Sequence, residues 1–231
     1  MIFQIDNSKQ TEITYPDSDG QPMADNTLQF RWLTTIKENL EWLFADNNQV
    51  FVAGDLLWYP VEGDNKIRQA PDIMVVFGRP KGDRGSYQQW LEDNIPPQVV
   101  FEILSPGNRQ GEMNRKLLFY QKYGVEEYYL YDPQHQDLSG LIRVEEELVP
   151  IEEMLGWVSP RLQIRFEMDT QLRLYHPNGE LFSTYTEVKQ RADTEKQRAD
   201  TEKQRADTEK QRAEKLAAKL RELGLNPDEI S

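Results

Sequence analysis

Several residue types are scarce in this chain, and each scarcity excludes a class of protein or site. The 231 residues include no cysteine, which excludes disulfides, zinc–thiolate sites and thiol nucleophiles together. No run approaches the roughly 18 consecutive apolar residues that a membrane-spanning helix requires. The first ten residues, MIFQIDNSKQ, lack the basic start and apolar stretch of a signal peptide. We therefore expect a cytoplasmic protein with no membrane segment.

Basic residues are outnumbered, and the imbalance is confined to one part of the chain. The formal net charge is −13. Residues 186–231 carry 11 Lys and Arg against 11 Asp and Glu, so the whole excess of acid lies within residues 1–185. Nucleic-acid binders usually show the opposite sign, because Lys and Arg neutralise phosphate. The bulk charge argues against a nucleic-acid partner, although a bound metal or a local basic rim reverses the field at one site.

Large apolar side chains are missing from residues 189–215, where alanine is the only apolar residue type. The heptapeptide QRADTEK occurs three times in succession from Gln190, and a partial copy follows. A strong coiled coil requires apolar residues at both core positions of each heptad, and here only alanine recurs. The repeat therefore predicts a solvated helix with ion pairs at helical spacing, or a weak coiled-coil dimer. Leucines at 216, 220 and 223 add a short apolar seam, and the helix should end at Gly224, before Asn226-Pro227.

The rest of the chain has the apolar content of an ordinary folded domain. We place an α/β domain at residues 1–185 and a helical tail at 186–231. Residues 1–26 are polar and rich in turn formers, which indicates an irregular leading segment. A first helix should run from about Thr27 to Asp46. Its apolar residues recur at spacings of three and four and comprise Phe30, Leu33, Ile36, Leu40, Leu43 and Phe44.

Two continuous apolar runs, 73–77 and 99–104, are typical of strands buried on both faces. A helix is predicted at about 109–123, capped by Gly124, and a strand at 127–131. Strand, helix and strand in that order predict a mixed sheet with a βαβ crossover. Further strands are predicted in the segments 49–54, 55–59, 141–150, 156–166 and 171–176.

Two carboxylates interrupt these apolar runs. Asp72 directly precedes the first run and Glu102 lies inside the second. A carboxylate beside a buried strand is costly unless it is compensated, and Mg²⁺ with its octahedral oxygen coordination is one compensator. If the two strands are neighbours, both acids meet at one end of the sheet. The alternative is that each acid is salt-bridged or reaches solvent at a strand terminus.

The two acids belong to an ordered set of motifs. Ala70-Pro71-Asp72 comes first, then FEILSP from Phe101, KLLFY from Lys116, YGVEEYY from Tyr123, and finally Asp132-Pro133. This set resembles the PD-(D/E)XK nuclease superfamily and, more closely, the bacterial "putative restriction endonuclease" family of unknown substrate. The resemblance implies a restriction-endonuclease-like core and a metal-dependent endonuclease that uses Mg²⁺ or Mn²⁺ to hydrolyse DNA, while a choice between DNA and RNA stays open.

The resemblance also implies a role for each residue of the site. Asp72 would be the first metal-binding carboxylate, Glu102 the acid of the (D/E)XK motif, and the Ile103 carbonyl a further metal ligand. The superfamily's lysine, expected two residues after Glu102, is replaced here by Leu104. The resemblance implies that this family carries the lysine on the following helix, where Lys116 matches its position and would act as the catalytic lysine.

Four further acids are candidates for a supporting role. The resemblance makes Asp55 an auxiliary acid from an adjacent strand, and Glu112 another, one helical turn before Lys116. A remaining motif acid on the first helix is either Glu38 or Glu41, and the sequence leaves that choice open.

Other polar and aromatic residues give weaker indications. His135 and His176 lack partners at metal-ligand spacing, which predicts surface histidines. The tyrosines at 120, 123, 128, 129 and 131 favour core packing over stacking on bases. A basic rim is open to two interpretations, a substrate contact or ordinary solvated charges, and consists of Lys81, Arg84, Arg109, Arg115 and Lys122.

Two functional hypotheses follow. The first is a metal-dependent endonuclease acting on DNA, with Asp72, Glu102 and Lys116 as the site. A homodimer is one expectation for this enzyme, since many nucleases of this fold cut both strands as dimers. The second is a catalytically degenerate nuclease fold that binds or scaffolds, with the tail helix docking a protein partner. The acidic surface favours the second hypothesis, and the complete acid–acid–lysine set favours the first.

Overall fold

The computed structural model describes residues 13–18, 20, 23–24 and 26–224. The chain divides after Phe182 into two compact units. The boundary between residues 185 and 186 stays a prediction, as does the irregular conformation of most of residues 1–26, which lie largely outside the described ranges.

Three α-helices and ten strands make up the described chain. The helices are α1 (Thr27–Leu43), α2 (Gln110–Lys122) and α3 (Tyr185–Glu222). The first five strands are β1 (Val50–Gly54), β2 (Trp58–Tyr59), β3 (Ile73–Phe77), β4 (Tyr87–Gln88) and β5 (Val99–Ile103). The others are β6 (Glu127–Asp132), β7 (Asp137–Val144), β8 (Glu147–Pro150), β9 (Arg165–Met168) and β10 (Leu172–Tyr175).

A six-stranded mixed sheet organises the first unit. Its strand order is β1-β3-β5-β6-β7-β8. Only β5 and β6 are parallel, and α2 lies between them in the chain, whereas the other pairs are antiparallel. Parallel neighbours need a crossover connection, which a helix usually supplies. The predicted α/β class, with a mixed sheet, a βαβ crossover and a C-terminal helix, is confirmed.

The central strands are buried on both faces because each face is covered by a separate apolar cluster. Alternate residues of β3 point to opposite sides. Ile73 and Val75 pack with Leu33, Ile36 and Leu40 of α1 in one cluster. Met74 and Val76 belong to a second cluster that includes Trp58, Tyr120 and Tyr128. The apolar run of β3, and that of β5 apart from Glu102, follow from this double coverage.

Helix α1 begins where the sequence predicts. The side chain of Asn26 accepts hydrogen bonds from the backbone amides of Leu28 and Gln29, as an N-cap residue does. The predicted apolar face holds for Leu33, Ile36 and Leu40, which are at most 3% exposed. The prediction for Phe30 was wrong, since that side chain is 47% exposed. Buried Gln29 takes a place on the inward side instead.

The strands predicted after β6, in the segments 141–150, 156–166 and 171–176, were expected to form one meander, and this expectation needs correction. Strands β7 and β8 continue the main sheet, but β9 and β10 form a separate two-stranded sheet. Most of the predicted strand at 156–166 is irregular, and only its last residues enter β9. Short strand β2 covers only the end of the predicted strand at 55–59 and pairs with β4 in another small sheet.

The tail forms one helix, α3, of 38 residues. A capping box starts it, in which Thr184 and Glu187 each hold the other's backbone amide. Every side chain from 185 to 216 is exposed. The predicted ion pairs are absent from the described part of this helix, because no Lys or Arg nitrogen there lies within 4.0 Å of a carboxylate oxygen. Threonine hydroxyls donate to carbonyls one turn back instead, as Thr201 does to Gln197 at 2.8 Å.

Helix α3 ends at Glu222, close to the predicted stop at Gly224. The motif Asn226-Pro227 lies outside the described residues. In the described ranges, no helix combines the length and apolar character that crossing a membrane would require.

Candidate active site

Asp72 and Glu102 meet because β3 and β5 are antiparallel neighbours. The pairing places Ile73 opposite Phe101, so the residue before β3 lies beside Glu102. The side chain of Asp72 also contacts the end of β5, where its Oδ2 accepts a hydrogen bond of 2.6 Å from the Ile103 amide. Within the described residues, Asp72 Oδ1 accepts no hydrogen bond, and this side chain is only partly buried. The two acids therefore converge at one end of the sheet.

Glu102 is enclosed by helix α2. The residue is 2% exposed, and each of its carboxylate oxygens has its own partner. Lys116 Nζ lies 2.7 Å from Oε2, and the Tyr120 hydroxyl donates to Oε1 at 2.5 Å. The buried charge is thus compensated by one cation and one neutral donor, as a buried carboxylate requires.

The helical spacing of residues on α2 explains how both partners of Glu102 come from this one helix. The buried residues of α2 are Met113, Lys116 and Tyr120. Spacings of three and four residues place them on one face, and that face covers β5. Lys116 therefore reaches Glu102 from the helix, although the position two residues after Glu102 holds a leucine. The structure brings together Asp72, Glu102 and Lys116, the three residues singled out from the sequence.

The electrostatics of the site show an excess of negative charge. Burial, and then the neighbouring Glu102 carboxylate, raise the pKa of Asp72 to about 8. Burial alone would lower the pKa of Lys116, but the charges of Glu102 and Asp72 outweigh it and raise that pKa. Burial, followed by the Glu102 charge, holds the pKa of the Tyr120 phenol well above its usual range. One ammonium thus serves two carboxylates, and Asp72 retains its proton at neutral pH when no other cation is present.

The Ile103 carbonyl, a predicted metal ligand, is held by a residue that sequence reasoning missed. Gln29 Nε2 donates to this carbonyl oxygen at 2.8 Å, and Gln29 is 6% exposed. A carbonyl oxygen has two lone pairs, so this bond leaves one for a further partner. The signal in the sequence was a polar residue on the inward side of α1.

The auxiliary acids occupy different surroundings. Asp55 adopts a left-handed backbone with φ of 49°, its amide donates to the Asp72 carbonyl at 3.1 Å, and its charge contributes to raising the Asp72 pKa. Glu112 is exposed on α2 and helps to raise the pKa of Lys116. Glu38 and Glu41 both pair with Lys37, at 3.3 and 3.0 Å. Neither hydrogen-bonds to Asp72, Glu102 or Lys116 in the described structure.

The predicted basic rim is not a continuous positive surface. Arg84 is turned inward, where it pairs with Glu92 at 2.6 Å and lies 3.9 Å from the centre of the Phe51 ring. Lys81 and Arg84 line a cleft of about 540 Å³ that also includes Glu41 and Asp83. Of the rest, Arg109 is the N-cap residue of α2 and Lys122 lies against Tyr123, 5.1 Å from its ring centre.

The histidines and tyrosines divide between surface and core. His135 is exposed, as predicted, and pairs with Asp132 at 2.7 Å. The surface prediction for His176 was wrong, because this residue is 5% exposed and packs between the rings of Trp42 and Phe182. The core interpretation holds for Tyr120, Tyr128, Tyr129 and Tyr131, each at most 2% exposed.

The donor set fits a hard divalent cation. Two carboxylates and a backbone carbonyl are oxygen ligands of the kind that Mg²⁺ prefers, and Mg²⁺ usually keeps several waters. Asp72 Oδ1 accepts no hydrogen bond in the described structure, and burial followed by the neighbouring Glu102 carboxylate raises the pKa of Asp72. Among the described residues, no group of three His, Cys, Asp or Glu side chains has the geometry of a metal site. The Ile103 carbonyl and water would complete the coordination.

Comparisons with known proteins place the chain in a family. Among solved structures, this chain is similar to the crystal structure of "a putative nuclease belonging to DUF820" from Anabaena variabilis, with a sequence identity of 20% and a TM-score of 0.44. The match covers 60% of this chain and 74% of the Anabaena variabilis chain. No curated protein matches. Residues 9–184 match the family model described as "Uma2: Putative restriction endonuclease", which is well over half of the chain and confirms the predicted resemblance. The chain therefore belongs to the Uma2 family, the "Putative restriction endonuclease" family.

Proposed function

We propose that this protein is a metal-dependent endonuclease that hydrolyses phosphodiester bonds in DNA, with Asp72, Glu102 and Lys116 as its catalytic residues. The observation that carries the proposal is the convergence of these three side chains from β3, β5 and α2. Lys116 Nζ lies 2.7 Å from Glu102 Oε2, and Asp72 is tied to the backbone of the next residue, Ile103. The buried Glu102–Lys116 pair is costly to maintain, and Asp72 adds a second carboxylate beside it, which favours a functional use for the cluster.

The divalent cation of the proposed site is Mg²⁺ or Mn²⁺, held by Asp72, Glu102 and the Ile103 carbonyl. A bound divalent cation lowers the pKa of a coordinated water and neutralises charge on the phosphate. Gln29 fixes the direction of the Ile103 carbonyl. Asp72 would bind the cation in its ionised form and would release a proton on doing so, because burial and then the Glu102 carboxylate raise its pKa.

Lys116 has a different task in the proposed mechanism. Its ammonium is held in one place by Glu102 and stays charged at neutral pH, since its pKa is raised. A fixed ammonium stabilises negative charge that develops on the phosphate, or orients the attacking water. The charge of Asp55 contributes to raising the pKa of Asp72, and the charge of Glu112 contributes to raising the pKa of Lys116.

The proposal includes two points beyond the site itself. The substrate is DNA, and the active form is a homodimer. The family description is "Putative restriction endonuclease", and many nucleases of this fold cut both strands of a duplex as dimers. The net charge of −13 predicts weak non-specific affinity, because phosphate contacts from Lys and Arg supply most of that affinity. Binding of DNA should therefore depend strongly on the divalent cation.

A second function, binding or scaffolding by a degenerate nuclease fold, is favoured by one observation. Both oxygens of Glu102 already have partners within the protein, Lys116 and Tyr120. A site satisfied in this way is stable without a cation. The long exposed helix α3 would then supply the surface for a protein partner.

A plasmid-nicking assay with Mg²⁺ or Mn²⁺ distinguishes the two functions. We expect the wild-type protein to nick supercoiled plasmid, and Glu102→Gln and Lys116→Met to reduce the rate by 100-fold or more, in line with the loss of a preorganised charge at an active site. The matched control is Glu152→Gln, an exposed acid in the segment after β8, which should retain the wild-type rate. A wild-type protein inactive with both cations would support the scaffold instead.

A further inference from the structure

The hydroxyl of Tyr120 touches Glu102 but has no role in the resemblance from which the site was predicted. We propose that Tyr120 is a positioning residue that holds Glu102 Oε1 ready for the divalent cation. This inference rests on the proposed function, because it assigns a role within the same site. It deepens that function by saying which oxygen of Glu102 serves the cation and what orients it.

Two consecutive turns of α2 fix the plane of the Glu102 carboxylate. Lys116 and Tyr120 are four residues apart, so they lie on the same face of the helix. Lys116 holds Oε2 at 2.7 Å and Tyr120 holds Oε1 at 2.5 Å. A carboxylate with a separate donor on each oxygen loses the freedom to rotate about its last bond. Removal of either donor restores that freedom.

The two donors differ in charge, and this difference selects one oxygen for the cation. A divalent cation on Oε2 would lie next to the Lys116 ammonium and be repelled by it. The partner of Oε1 is the Tyr120 phenol, and a tyrosine hydroxyl carries no charge at pH 7, so it does not repel a cation. Each carboxylate oxygen accepts more than one contact. Oε1 can therefore keep its bond to Tyr120 and also bind a cation.

The Tyr120 ring is locked in position by its neighbours. The residue is fully buried. Its ring lies parallel to that of Trp58, with centres 6.4 Å apart, and meets the rings of Phe119 and Tyr128 at centre distances of 5.9 and 5.0 Å. A phenol held in this way keeps the direction of its hydrogen bond. Metal sites commonly depend on such outer partners, whose loss lowers metal affinity by about 10- to 100-fold.

Tyr128 provides a matched control from the same cluster. This residue is 1% exposed and packs against the Tyr120 ring. Its hydroxyl has no hydrogen-bond partner in the described structure. Tyr120→Phe and Tyr128→Phe each remove one buried hydroxyl from the same aromatic cluster. Only the first removes a contact with Glu102.

The test is calorimetric titration of Mn²⁺ into the full-length wild-type protein and the two variants. We expect Tyr120→Phe to raise the Kd for Mn²⁺ by about 10- to 100-fold, and Tyr128→Phe to leave it within about threefold. Equal affinities in wild type and Tyr120→Phe would overturn the positioning role, as would an equal loss in both variants. A wild-type protein that binds no Mn²⁺ overturns the proposed function itself, and the positioning role with it.

A second measurement on the wild-type protein covers the case in which Tyr120→Phe does not fold. Tyrosine Cζ resonances are followed by ¹³C NMR during titration with Mg²⁺. The Tyr120 resonance should shift with saturation, and by more than the Tyr128 resonance, because cation binding draws charge from the oxygen to which Tyr120 donates. Saturating Mg²⁺ binding without movement of the Tyr120 resonance would contradict the proposal.

Discussion

The first compact unit, called the globular unit below, and helix α3 contain the same charged residue types. Some of these residues are buried in the globular unit, whereas all of them are exposed in α3. In the described part of the globular unit, Glu102, Lys116 and Glu127 are buried, at 2%, 9% and 1% exposure. In α3 every Glu, Lys and Arg is exposed. A buried charge is costly unless its partners are in place, whereas an exposed charge is solvated wherever it lies.

This difference shows which charged side chains have a particular partner in the fold and which do not. Glu102 has a dedicated donor on each oxygen, so neither donor can be exchanged without consequence. The heptapeptide QRADTEK repeats unchanged in α3, as expected where one solvated position is equivalent to the next. The comparison predicts a graded series of substitution effects on the free energy of unfolding. All five tryptophans lie before residue 158, so tryptophan fluorescence follows the globular unit.

Lys116→Met should have the largest effect on stability. The substitution leaves the Glu102 carboxylate buried without its cation, which typically lowers the free energy of unfolding by about 3–5 kcal/mol. Urea unfolding followed by tryptophan fluorescence measures the change. The double variant Lys116→Met with Glu102→Gln removes both charges and should recover most of the loss. A double variant as unstable as Lys116→Met would show that the charge pair is not the cause.

Glu127→Ala should have the next largest effect. Glu127 accepts hydrogen bonds from the Ser159 hydroxyl at 2.5 Å, the Arg161 amide at 2.7 Å and the Tyr129 hydroxyl at 2.9 Å. Its removal leaves these buried donors without an acceptor, at an expected loss of about 2–3 kcal/mol. The neighbouring Glu126 is the control, because its pair with Arg161 is largely exposed and such pairs contribute about 0–1 kcal/mol. Similar losses at both positions would break the comparison between buried and exposed charge.

Asp72→Asn should stabilise the metal-free protein, in a way that depends on pH. The pKa of Asp72 is about 8 in the folded chain and 3.8 ordinarily, so unfolding releases a proton between pH 4 and 8. The wild-type protein therefore loses stability relative to Asp72→Asn as pH rises through that window. We expect the variant to be more stable than the wild-type protein at pH 8 in a chelator, and equally stable near pH 4.

The control for Asp72→Asn is the same measurement with Mn²⁺ in place of the chelator. A ligand that binds only the folded state raises its stability, so Mn²⁺ should favour the wild-type protein. A stability difference in chelator that is the same at pH 5 and pH 8 would show that Asp72 does not carry a raised pKa.

Glu202→Ala in the middle of α3 should have the smallest effect. The residue is exposed and has no ion pair within 4.0 Å among the described residues. Surface substitutions away from special features change stability by less than about 0.5 kcal/mol. Urea unfolding by tryptophan fluorescence and helicity by circular dichroism should both match the wild-type protein. A change above 1 kcal/mol would mean that α3 charges are individually specified after all.

Much of the fold could be predicted because its signals are local. The apolar runs of β3 and β5 mark strands covered on both faces, and Asn26 together with a spacing of three and four marks α1. The resemblance supplied Lys116, whose position on α2 the helical spacing then explains. Local patterns also predicted the end of α3 at Gly224, close to its last residue, Glu222.

The rest depends on contacts between residues far apart in the chain. Gln29 and Ile103 are separated by 74 residues, yet they share a hydrogen bond at the site. Nothing near Tyr120 in the sequence distinguishes its hydroxyl, which donates to Glu102, from that of Tyr128, which has no partner in the described structure. His176 is buried by packing against Trp42 of α1. Local spacing contains no information on such pairs.

The central claim, that the buried acids form a cation site, is tested most directly by calorimetry at pH 7. Mg²⁺ or Mn²⁺ is titrated into the wild-type protein and Glu102→Gln in two buffers that differ in ionisation enthalpy, so that proton release is measured together with binding. We predict saturable binding by the wild-type protein with release of about one proton, from Asp72, and no binding by Glu102→Gln. Absence of binding by the wild-type protein at millimolar cation, or equal binding by both proteins, would contradict the account.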